Sequence, residues 1–361
     1  MKIAFGVFDW GLGHATRDIP LIEALLKRRH EVHIISTGRA LALLKNYFGK
    51  KCTFFEVPSL FVPYSRSSFF SLYFAKSSIK LLKSLKKATL ISKQIIKREK
   101  YNLVISDCRY DFYDEVDNSY FINHQLRFKS FPVLQNALEK WLAWRMSKYK
   151  FILVPDFKES NLSGILSHDL KYIDSKKIKY LGILSHYKKK DIKKDVDIFV
   201  SISGPEPQRT VLEEILLPML KKINGKIVVA LGKPEAKKFT SNKNLQIYSF
   251  LGPEKQEEFM NRAKLVITRS GYTTMMELAE LEKKQVLLIP TPGQTEQEYL
   301  ADYYEQKGYF HHVSQNNLNL EKDLMQLSNF KGIPISWNTK ESVKNFMKLI
   351  ENFEISRKRN H

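Results

Sequence analysis

The residues best suited to chemistry in this chain are concentrated between positions 269 and 281. The apolar run at 263–268 in front of them is typical of a buried strand, and the apolar residues behind them follow helical spacing. A strand, a Ser-Gly turn and a helix leave free backbone N–H groups and the positive end of a helix dipole around Ser270, Gly271 and Thr273. This arrangement predicts an anion site, because a glycine lets a phosphate approach the backbone without a Cβ in the way.

A carboxylate and two amides lie close to this turn in the sequence. Glu277 falls in the second turn of the predicted helix, where its carboxylate could accept hydrogen bonds from a pair of sugar hydroxyls. The next apolar run, at 285–289, leads into a loop that carries Gln294 and Gln297. Because ligands of parallel sheets bind at the carboxyl ends of the strands, both segments should face one ligand. The pattern favours a clamp for a nucleoside diphosphate, whereas the Ser-Gly turn alone would equally fit an ordinary capped helix.

A second glycine loop lies near the N-terminus. The apolar run at 3–8 predicts a strand buried on both faces, and Gly11 and Gly13 lead into an amphipathic helix. The loop does not fit a dinucleotide fold, since Thr16 replaces its third glycine and the second predicted strand ends without an acid for a ribose. His14 follows the loop at the rim of the predicted sheet, where a general base could meet an incoming hydroxyl. Its ordinary interpretation is a capping or hydrogen-bonded histidine.

Strand and helix signals alternate along the chain. Strands are predicted at 3–8, 32–35, 53–57, 102–106, 119–123, 151–154, 198–202, 226–231, 245–248, 265–268 and 285–289. This alternation predicts an α/β protein built from doubly wound parallel sheets. A polar, charge-rich segment interrupts it, so we predict a first domain at 1–185, a linker at 186–197, a second domain at 198–335 and a last amphipathic helix within 336–361.

The composition is that of a globular protein that favours acidic partners. The 361 residues are 43% hydrophobic and 12% aromatic, enough for two cores, and the formal net charge is +21. This charge suits a phosphorylated small molecule, an anionic membrane surface or a nucleic acid, but no nucleic-acid motif accompanies it. Cys52 and Cys108 lack metal-ligand spacing, and we interpret the DxD pattern of Asp195 and Asp197 as chance within a lysine-rich segment. We expect a reduced, cytoplasmic protein without signal peptide, membrane span or metal.

The segment at 66–98 contains many basic residues and no acid. Lysines recur on one side of a predicted helix that also has a leucine-rich face, and an aromatic cluster precedes it. This pattern is typical of an interfacial helix that docks on anionic lipid, although a core-packed helix with a solvated lysine face fits it as well. The predicted membrane contact consists of Phe69, Phe70, Tyr73, Lys76, Lys80, Lys83 and Lys87.

Two polar side chains follow strands of the first domain. Asp107 comes directly after the strand at 102–106, and His124 follows the strand at 119–123. Both should lie at the ligand-facing edge of the sheet, which makes them candidates for contact with an acceptor substrate. Each could instead be a loop residue that bonds to its neighbours.

Taken together, these segments resemble a known family. The Gly11-Leu-Gly-His14 loop, a Ser203-Gly204 loop, Arg269-Ser-Gly271, Glu277 and the pair Gln294 and Gln297 occur in the order found in GT-B glycosyltransferases, in particular the MurG-like branch of family 28. The resemblance implies two Rossmann-like domains facing across a cleft, with the last helix crossing back to the first. It also implies an inverting, metal-independent transfer from a UDP-sugar, without a cofactor, to a lipid-linked or glycan acceptor.

The resemblance also implies roles for individual residues. The uracil edge would be read by the backbone near Leu251, the ribose hydroxyls would be held by Glu277, and the donor sugar would be contacted by Gln294 and Gln297. The full set of implied donor contacts is Ser203, Gly204, Arg209, Leu251, Arg269, Ser270, Gly271, Thr273, Glu277, Gln294 and Gln297. His14 would be the catalytic base, and the acceptor would be contacted by Gly11, Gly13, Asp107 and His124.

The chain departs from the MurG-like pattern at two loops. Ser-Gly-Pro-Glu-Pro-Gln at 203–208 replaces a glycine-rich loop, which moves the expected phosphate contact to Arg209. Glu298 follows Gln297 where the family has a second glutamine, which points to a different donor sugar or acceptor.

Two other functions remain open at this stage. A UDP-sugar 2-epimerase shares the two-domain plan and would release a free epimerised sugar without an acceptor, but it gives the basic-aromatic segment no purpose. A non-catalytic protein that binds membranes or polyanions would bind liposomes and have no affinity for UDP. The ordered set of Ser270, Glu277 and Gln297 argues against this last function.

Overall fold

The computed structural model describes residues 1–60, 70–115, 118–128, 132–159, 162–236, 238–242 and 244–359, and the side chains of all these residues except 70–79 and 132–133. The chain divides into two compact units, Met1–His186 with Ser336–His361, and Tyr187–Ile335. The segment at 187–197, for which the sequence predicts a linker, groups with the second unit.

The first unit is a parallel sheet with helices on its faces. Its strands are β1 (Lys2–Val7), β2 (Glu31–Ser36), β3 (Thr53–Glu56), β4 (Leu103–Asp107), β5 (Ser119–Ile122), β6 (Phe151–Val154) and β7 (Ile178–Tyr180). The long helices interleaved with them are α1 (Gly13–Lys27), α2 (Gly38–Phe48), α3 (Phe70–Glu99) and α4 (Pro132–Met146). The strand order is β3-β2-β1-β4-β5-β6-β7, and every pairing is parallel. The central strand β4 is buried along its whole length, as both faces of a doubly wound sheet require.

The second unit repeats this plan. Its strands are β8 (Val196–Ser201), β9 (Ile227–Ala230), β10 (Phe239–Ser241), β11 (Leu245–Tyr248), β12 (Ala263–Thr268), β13 (Val286–Leu288) and β14 (His311–His312). Its helices are α5 (Gln208–Leu220), α6 (Pro253–Arg262), α7 (Tyr272–Glu280), α8 (Thr295–Gln306) and α9 (Leu320–Gln326). The order is β10-β11-β9-β8-β12-β13-β14, and β10 alone among these described strands runs antiparallel.

The last helix, α10 (Thr339–Arg359), belongs to the first unit, where it packs on α1. Phe346 and Ile350 are fully buried on its inner face. These two side chains hold the terminal helix in place, because the burial of each contributes roughly 1.5–3 kcal/mol to stability.

The two parallel-sheet domains predicted from the sequence are confirmed, and three strands were missed. The missed strands, β7, β10 and β14, are two or three residues long and lie at sheet edges. Their sequences, Ile-Lys-Tyr, Phe-Thr-Ser and His-His, are polar enough to leave no apolar run. Edge strands are half exposed and need no such run, so periodicity could not reveal them.

Strand register determines which loops meet. Asp107, the last residue of β4, pairs with Val7 at the end of β1, so the glycine loop that follows Val7 begins beside Asp107. In the second unit Thr268 of β12 pairs with Ser201 of β8 on one side and with Leu288 of β13 on the other. The loops that leave β8, β12 and β13 therefore start side by side.

Candidate active site

In the first unit, His14 and Asp107 form a hydrogen-bonded pair. His14 lies in the first turn of α1, and its Nδ1 is 3.0 Å from Oδ2 of Asp107. The His14 side chain is 14% exposed, whereas the Asp107 side chain is completely buried. Because a carboxylate only accepts hydrogen bonds, Nδ1 of His14 carries the proton, and this assignment leaves Nε2 as the unprotonated nitrogen. Burial, which outweighs the attraction of Asp107, lowers the pKa of His14 and keeps the ring neutral.

A buried arginine fixes this pair from behind. Arg17 is one helical turn after His14 and donates from Nε to Oδ2 of Asp107 at 3.0 Å, and from its second terminal nitrogen to Oδ1. Burial alone would raise the pKa of Asp107, but the Arg17 guanidinium and His14 outweigh it and hold that pKa well below its usual range. Arg17 also contacts Nδ1 of His124 at 3.1 Å, so His124 belongs to the same cluster. Asp107 is therefore a permanent anion that orients the His14 ring.

This arrangement changes the role expected for Asp107. Both of its oxygens are engaged by Arg17 and His14, so we expect Asp107 to act through His14 instead. His124 is 7% exposed and stays a candidate for acceptor contact. Gly13 is the first residue of α1, and Gly11, with φ of +80°, has no atom within 4 Å of the position that a Cβ would take. The loop in front of His14 is thus open enough for a substrate to approach.

Asp18 adds a second buried carboxyl to the cluster. Neither of its oxygens has a hydrogen-bond partner among the described residues, and its side chain is fully buried. Burial, reinforced by the nearby charge of Asp107, raises the pKa of Asp18 well above its usual range. The protonated form of Asp18 is therefore favoured, which reduces its competition with Asp107 for Arg17.

Within the part of the chain that the structure describes, one group has metal-ligand spacing: His14, Asp107 and Cys108, whose ligand atoms lie within 4.8 Å of one another. The chemistry of the donors does not suit a divalent cation. Arg17 already neutralises Asp107, and burial raises the pKa of the Cys108 thiol well above its ordinary value, so the thiolate needed for metal binding is disfavoured.

In the second unit, the turn between β12 and α7 has the predicted form. Gly271 is the N-cap of α7, and the nearest atom to the position of a Cβ on it is Nε2 of Gln297 at 3.9 Å. A ligand oxygen can therefore approach the first backbone N–H groups of α7, next to Thr273. The Ser270 side chain is fully buried and donates to the Gln297 carbonyl oxygen at 2.7 Å. Ser270 thus fastens two loops together, and its hydroxyl proton is not available to a ligand.

The two arginines expected among the donor contacts, Arg269 and Arg209, are engaged by groups of the protein itself. Arg269 is 1% exposed and donates to the carbonyl oxygens of Ser203, Gln208, Ile289 and Pro290 at 2.9–3.4 Å, and to Gln315 at 2.8 Å. Arg269 therefore joins the loops after β8, β12 and β13 and has no exposed donor edge, so the expectation of a donor contact is corrected.

Arg209 is in a similar position. Its side chain is 6% exposed, donates to the Leu231 carbonyl at 3.0 Å, and pairs with Glu206 and, at 3.5 Å, with Glu213. Two carboxylates already neutralise its charge. The phosphate contact that the sequence assigned to Arg209 is thus not available in this structure.

The Ser203-Gly204 loop remains accessible. Both residues are exposed, and Gly204 has φ of +111°, a backbone conformation that favours glycine. A Cβ on Gly204 would lie 3.4 Å from Oγ1 of Thr291, in the loop after β13. The Ser203-Gly204 loop and the loop after β13 that carries Thr291 therefore lie close together at Gly204.

Glu277 is a buried acid without a partner. It is 8% exposed, and no hydrogen bond or ion pair reaches its carboxylate among the described residues. Burial alone raises the pKa of Glu277 to about 8. A carboxyl that is kept out of water and left unpaired is unfavourable for the fold, and such groups mark functional sites. This is the environment expected if a ligand supplies the missing hydrogen-bond donors.

The remaining predicted donor residues surround the same loops. Gln297 is 8% exposed, and its Oε1 accepts the Thr291 N–H at 2.9 Å. Its amide nitrogen, Nε2, lies on the side of Gly271. Gln294 is the N-cap of α8, and its Oε1 is buried without a partner among the described residues. Leu251 is 4% exposed, and its carbonyl oxygen accepts from Gln256 at 3.0 Å.

The DxD pattern is not a ligand site. Asp195 and Asp197 lie at the amino end of β8, opposite the loops described above. Asp195 pairs with Arg262 and Lys226, and Asp197 pairs with Lys264. Hydrogen bonds from these cations lower the pKa of both carboxylates.

The basic helix α3 exposes both lysines and leucines. Lys80, Lys83 and Lys87 are exposed, and Leu82 and Leu90 are 55% and 57% exposed. Phe69 lies outside the described residues, and the side chains of Phe70, Tyr73 and Lys76 are not among those described. Among the described helices, none is long and apolar enough to cross a membrane.

Two regions of the chain match known protein families. Residues 208–352 match the glycosyltransferase family 28 C-terminal domain, and residues 1–113 match glycosyl transferase family 1. No protein with a curated description matches the chain by sequence alone.

Solved structures with the same fold cover nearly the whole chain. MurG from Acinetobacter baumannii is 14% identical with a TM-score of 0.55, and the match covers 96% of this chain and 94% of that one. The spinosyn rhamnosyltransferase SpnG in complex with thymidine diphosphate is 13% identical with a TM-score of 0.62, and the match covers all of both chains. A putative UDP-N-acetylglucosamine 2-epimerase from Listeria monocytogenes is 12% identical with a TM-score of 0.62, over 98% of this chain and 97% of that one.

Proposed function

We propose that the chain, which has the GT-B fold and matches two glycosyltransferase families over parts of its length, is a glycosyltransferase that transfers a sugar, an N-acetylhexosamine or a hexose, from a UDP-sugar to a hydroxyl group of a lipid-linked or other membrane-associated acceptor. The transfer inverts the anomeric centre, requires no metal ion, and takes place at the cytoplasmic face of the membrane. The observation that carries this proposal is the neutral His14 ring, whose Nε2 is left free to accept a proton by the Asp107 and Arg17 pair behind it.

The proposed reaction is a single displacement. Nε2 of His14 takes the proton of the acceptor hydroxyl while the acceptor oxygen forms a bond to the anomeric carbon of the donor. The bond between that carbon and the diphosphate oxygen breaks, and the electron pair leaves with UDP. Asp107 stabilises the imidazolium that forms, and its complete burial prevents it from reaching the anomeric carbon as a nucleophile. One base, with the Asp107 oxygens engaged by Arg17 and His14, favours inversion.

The turn between β12 and α7 is suited to a diphosphate leaving group that is held by uncharged hydrogen-bond donors. The N-terminus of α7 offers backbone N–H groups and a positive dipole end at Gly271, where a Cβ would meet no atom closer than 3.9 Å. Preorganised N–H donors stabilise developing negative charge without reorganisation. The pairing of the DxD carboxylates with cations at the other end of β8 supports the metal-independent reaction that we propose.

The choice of donor rests on Glu277. A partnerless buried carboxyl close to the α7 N-terminus fits the two hydroxyls of a ribose. SpnG binds thymidine diphosphate, whose deoxyribose offers one such hydroxyl fewer. We therefore expect UDP to bind more tightly than dTDP.

Association with a membrane rests on α3. Exposed lysines alternate with the exposed leucines 82 and 90 on this helix, so that apolar and cationic groups share one solvent-facing surface. Such a surface binds anionic lipid through both contributions. An acceptor anchored in the bilayer would then be brought close to His14.

The first experiment is calorimetric titration with UDP in the presence of a chelator, with GDP and dTDP in parallel. Micromolar affinity for UDP that is lost in Glu277→Ala supports the donor assignment. Absence of binding to every nucleotide would overturn it, and preference for GDP would overturn the choice of base. UDP-N-acetylglucosamine, UDP-glucose and UDP-galactose are then incubated with a bacterial lipid extract, and lipid-linked products are separated by mass.

A second candidate function, epimerisation at C2 of a UDP-sugar, is favoured by one finding, the similarity to the putative 2-epimerase. The same incubations without lipid extract distinguish the two. A glycosyltransferase needs the extract for turnover, whereas an epimerase releases free epimerised sugar and UDP without it.

A further inference from the structure

Thr291 has a buried hydroxyl group for which the protein provides no partner. The residue lies in the loop after β13 and is fully buried. Its backbone N–H donates to Oε1 of Gln297 at 2.9 Å, so the main chain is held in place. Its Oγ1 makes no hydrogen bond with any of the described residues. Buried hydroxyls in folded proteins nearly always find a partner, so this one needs an explanation.

The Thr291 hydroxyl lies next to the Ser203-Gly204 loop. A Cβ on Gly204 would sit 3.4 Å from Thr291 Oγ1, so the hydroxyl lies close to the space that a side chain at position 204 would enter. Gly204 itself is exposed and has φ of +111°, so the loop is shaped to bring its main chain close to a ligand at this point.

Thr291 is also coupled to the N-terminus of α7. Gln297 accepts the Thr291 N–H through its side chain and the Ser270 hydroxyl through its backbone carbonyl at 2.7 Å. One residue therefore links Thr291 to the turn that exposes the Gly271 N–H region. The hydroxyl, the Gly204 loop and the α7 N-terminus thus belong to one rigid set of loops.

The donors that would otherwise bind a diphosphate here are already engaged. Arg269 donates to four carbonyl oxygens and a glutamine, and Arg209 is paired with two glutamates. The hydroxyl of Ser270 donates to Gln297. Unlike these groups, the buried Oγ1 of Thr291 has no hydrogen-bond partner among the described residues, so its proton remains available to a ligand.

We propose that Thr291 donates its hydroxyl hydrogen bond to a phosphate oxygen of the nucleoside diphosphate, and so belongs to the donor-binding residues. The inference rests on the proposed function. It assigns the diphosphate to a cradle of neutral donors, in which Thr291 acts with the backbone of Gly204 and the first N–H groups of α7. The hydroxyl gains its missing partner only when the diphosphate is bound.

This role predicts opposite effects on binding and on stability. Thr291→Val keeps the shape of the side chain and removes the hydroxyl, so it should weaken UDP binding about tenfold or more, as expected for a lost hydrogen bond to a charged group. The same variant should melt at or above the wild-type temperature, because it also removes an unsatisfied buried polar group. Thr291→Ser, the matched control, should retain most of the affinity for UDP.

The experiment measures UDP and UMP affinity by calorimetry and the melting temperature without ligand for the wild type and both variants. Weaker UDP binding by Thr291→Val with an undiminished melting temperature supports the proposal, and a comparable loss with UMP assigns the contact to the α-phosphate. Equal UDP binding by the wild type and Thr291→Val would overturn the inference and leave the proposed function intact. A fall in melting temperature together with lost binding would show a structural role instead. No UDP binding by the wild type would overturn both proposals.

Discussion

The raised pKa of Glu277 makes UDP binding dependent on pH in a predictable direction. Burial raises this pKa to about 8, so the free protein carries a neutral carboxyl at pH 7. Two ribose hydroxyls donate best to an ionised carboxylate, which the ligand can use only after the proton has left. Binding should therefore tighten as the pH rises.

The size of the effect follows from the ionised fraction. With a pKa of about 8, roughly 9% of the carboxyl is ionised at pH 7.0 and roughly 76% at pH 8.5. If the bound state requires the carboxylate, the dissociation constant of UDP should fall about eightfold over this interval, which corresponds to about 1.2 kcal/mol. Close to one proton, about 0.9, should be released for each UDP bound at pH 7.0.

Calorimetric titration at pH 7.0, 7.5, 8.0 and 8.5 tests this prediction, and two buffers of different ionisation enthalpy give the proton release. Glu277→Gln is the matched control, since its amide has the same shape and does not titrate. Its affinity should vary with pH only through UDP itself, and that variation is subtracted. A wild-type affinity that is constant or weakens with pH after this correction would refute the assignment of Glu277 to the ribose. A proton release of zero at pH 7.0 would refute the role of the buried carboxyl as well.

Three further predictions concern the first unit. His14→Ala should abolish sugar transfer and leave UDP affinity unchanged. In the wild type, kcat/KM for the acceptor, measured at saturating UDP-sugar, should fall at acid pH with a midpoint below 6.5, because burial lowers the pKa of His14 from 6.5; a midpoint above pH 7 would contradict this. Asp18→Asn should stabilise the protein more at pH 7 than at pH 4 in urea unfolding, because the folded state keeps a proton that the unfolded state releases as the pH rises; an equal effect at both pH values would contradict a raised pKa. Leu82→Glu with Leu90→Glu should weaken sedimentation with vesicles of phosphatidylglycerol several-fold while UDP affinity is retained, and the matched pair Leu82→Ala with Leu90→Ala should have a smaller effect; equal sedimentation of all three proteins would exclude this helix as the lipid contact.

The sequence sufficed for the fold because parallel sheets have a strong local signal. Central strands such as β4 are buried on both faces and appear as continuous apolar runs, and glycine loops mark their carboxyl ends. The same logic placed His14 and Asp107 each at a strand end. It did not reveal that the two side chains bond to each other, because 93 residues separate them and the contact depends on β1 and β4 being neighbours in the sheet.

Arg17 was missed as a site residue although a signal existed. It lies three positions after His14, on the same face of α1, so helical spacing alone places it near the base. What spacing could not show is that its guanidinium turns inward to Asp107 instead of outward to a substrate. That choice depends on a carboxylate supplied by another strand.

The engagement of Arg209 and Arg269 within the protein could not be predicted for a related reason. An arginine in a glycine-rich loop is equally suited to a phosphate and to the carbonyl oxygens that strand ends leave unpaired. Arg269 is surrounded by such oxygens from three loops, and Arg209 has two glutamates within reach. Competition between internal acceptors and a ligand is decided by tertiary packing and leaves no trace in residue types.

The two units share one way of using arginine, and this bears on the net charge. Arg17 holds His14 through Asp107, and Arg269 holds the loops after β8, β12 and β13 through carbonyl oxygens, so both guanidinium groups are engaged within the protein. Apart from Glu277, the groups that we propose to meet substrates are neutral: an imidazole, backbone N–H groups, amides and the Thr291 hydroxyl. The charge of +21 therefore does not arise from these site residues. On α3 exposed lysines lie beside two exposed leucines, where positive charge adds to the binding of an anionic surface and not of the donor. Raising the salt concentration should accordingly weaken attachment to vesicles much more than it weakens UDP binding.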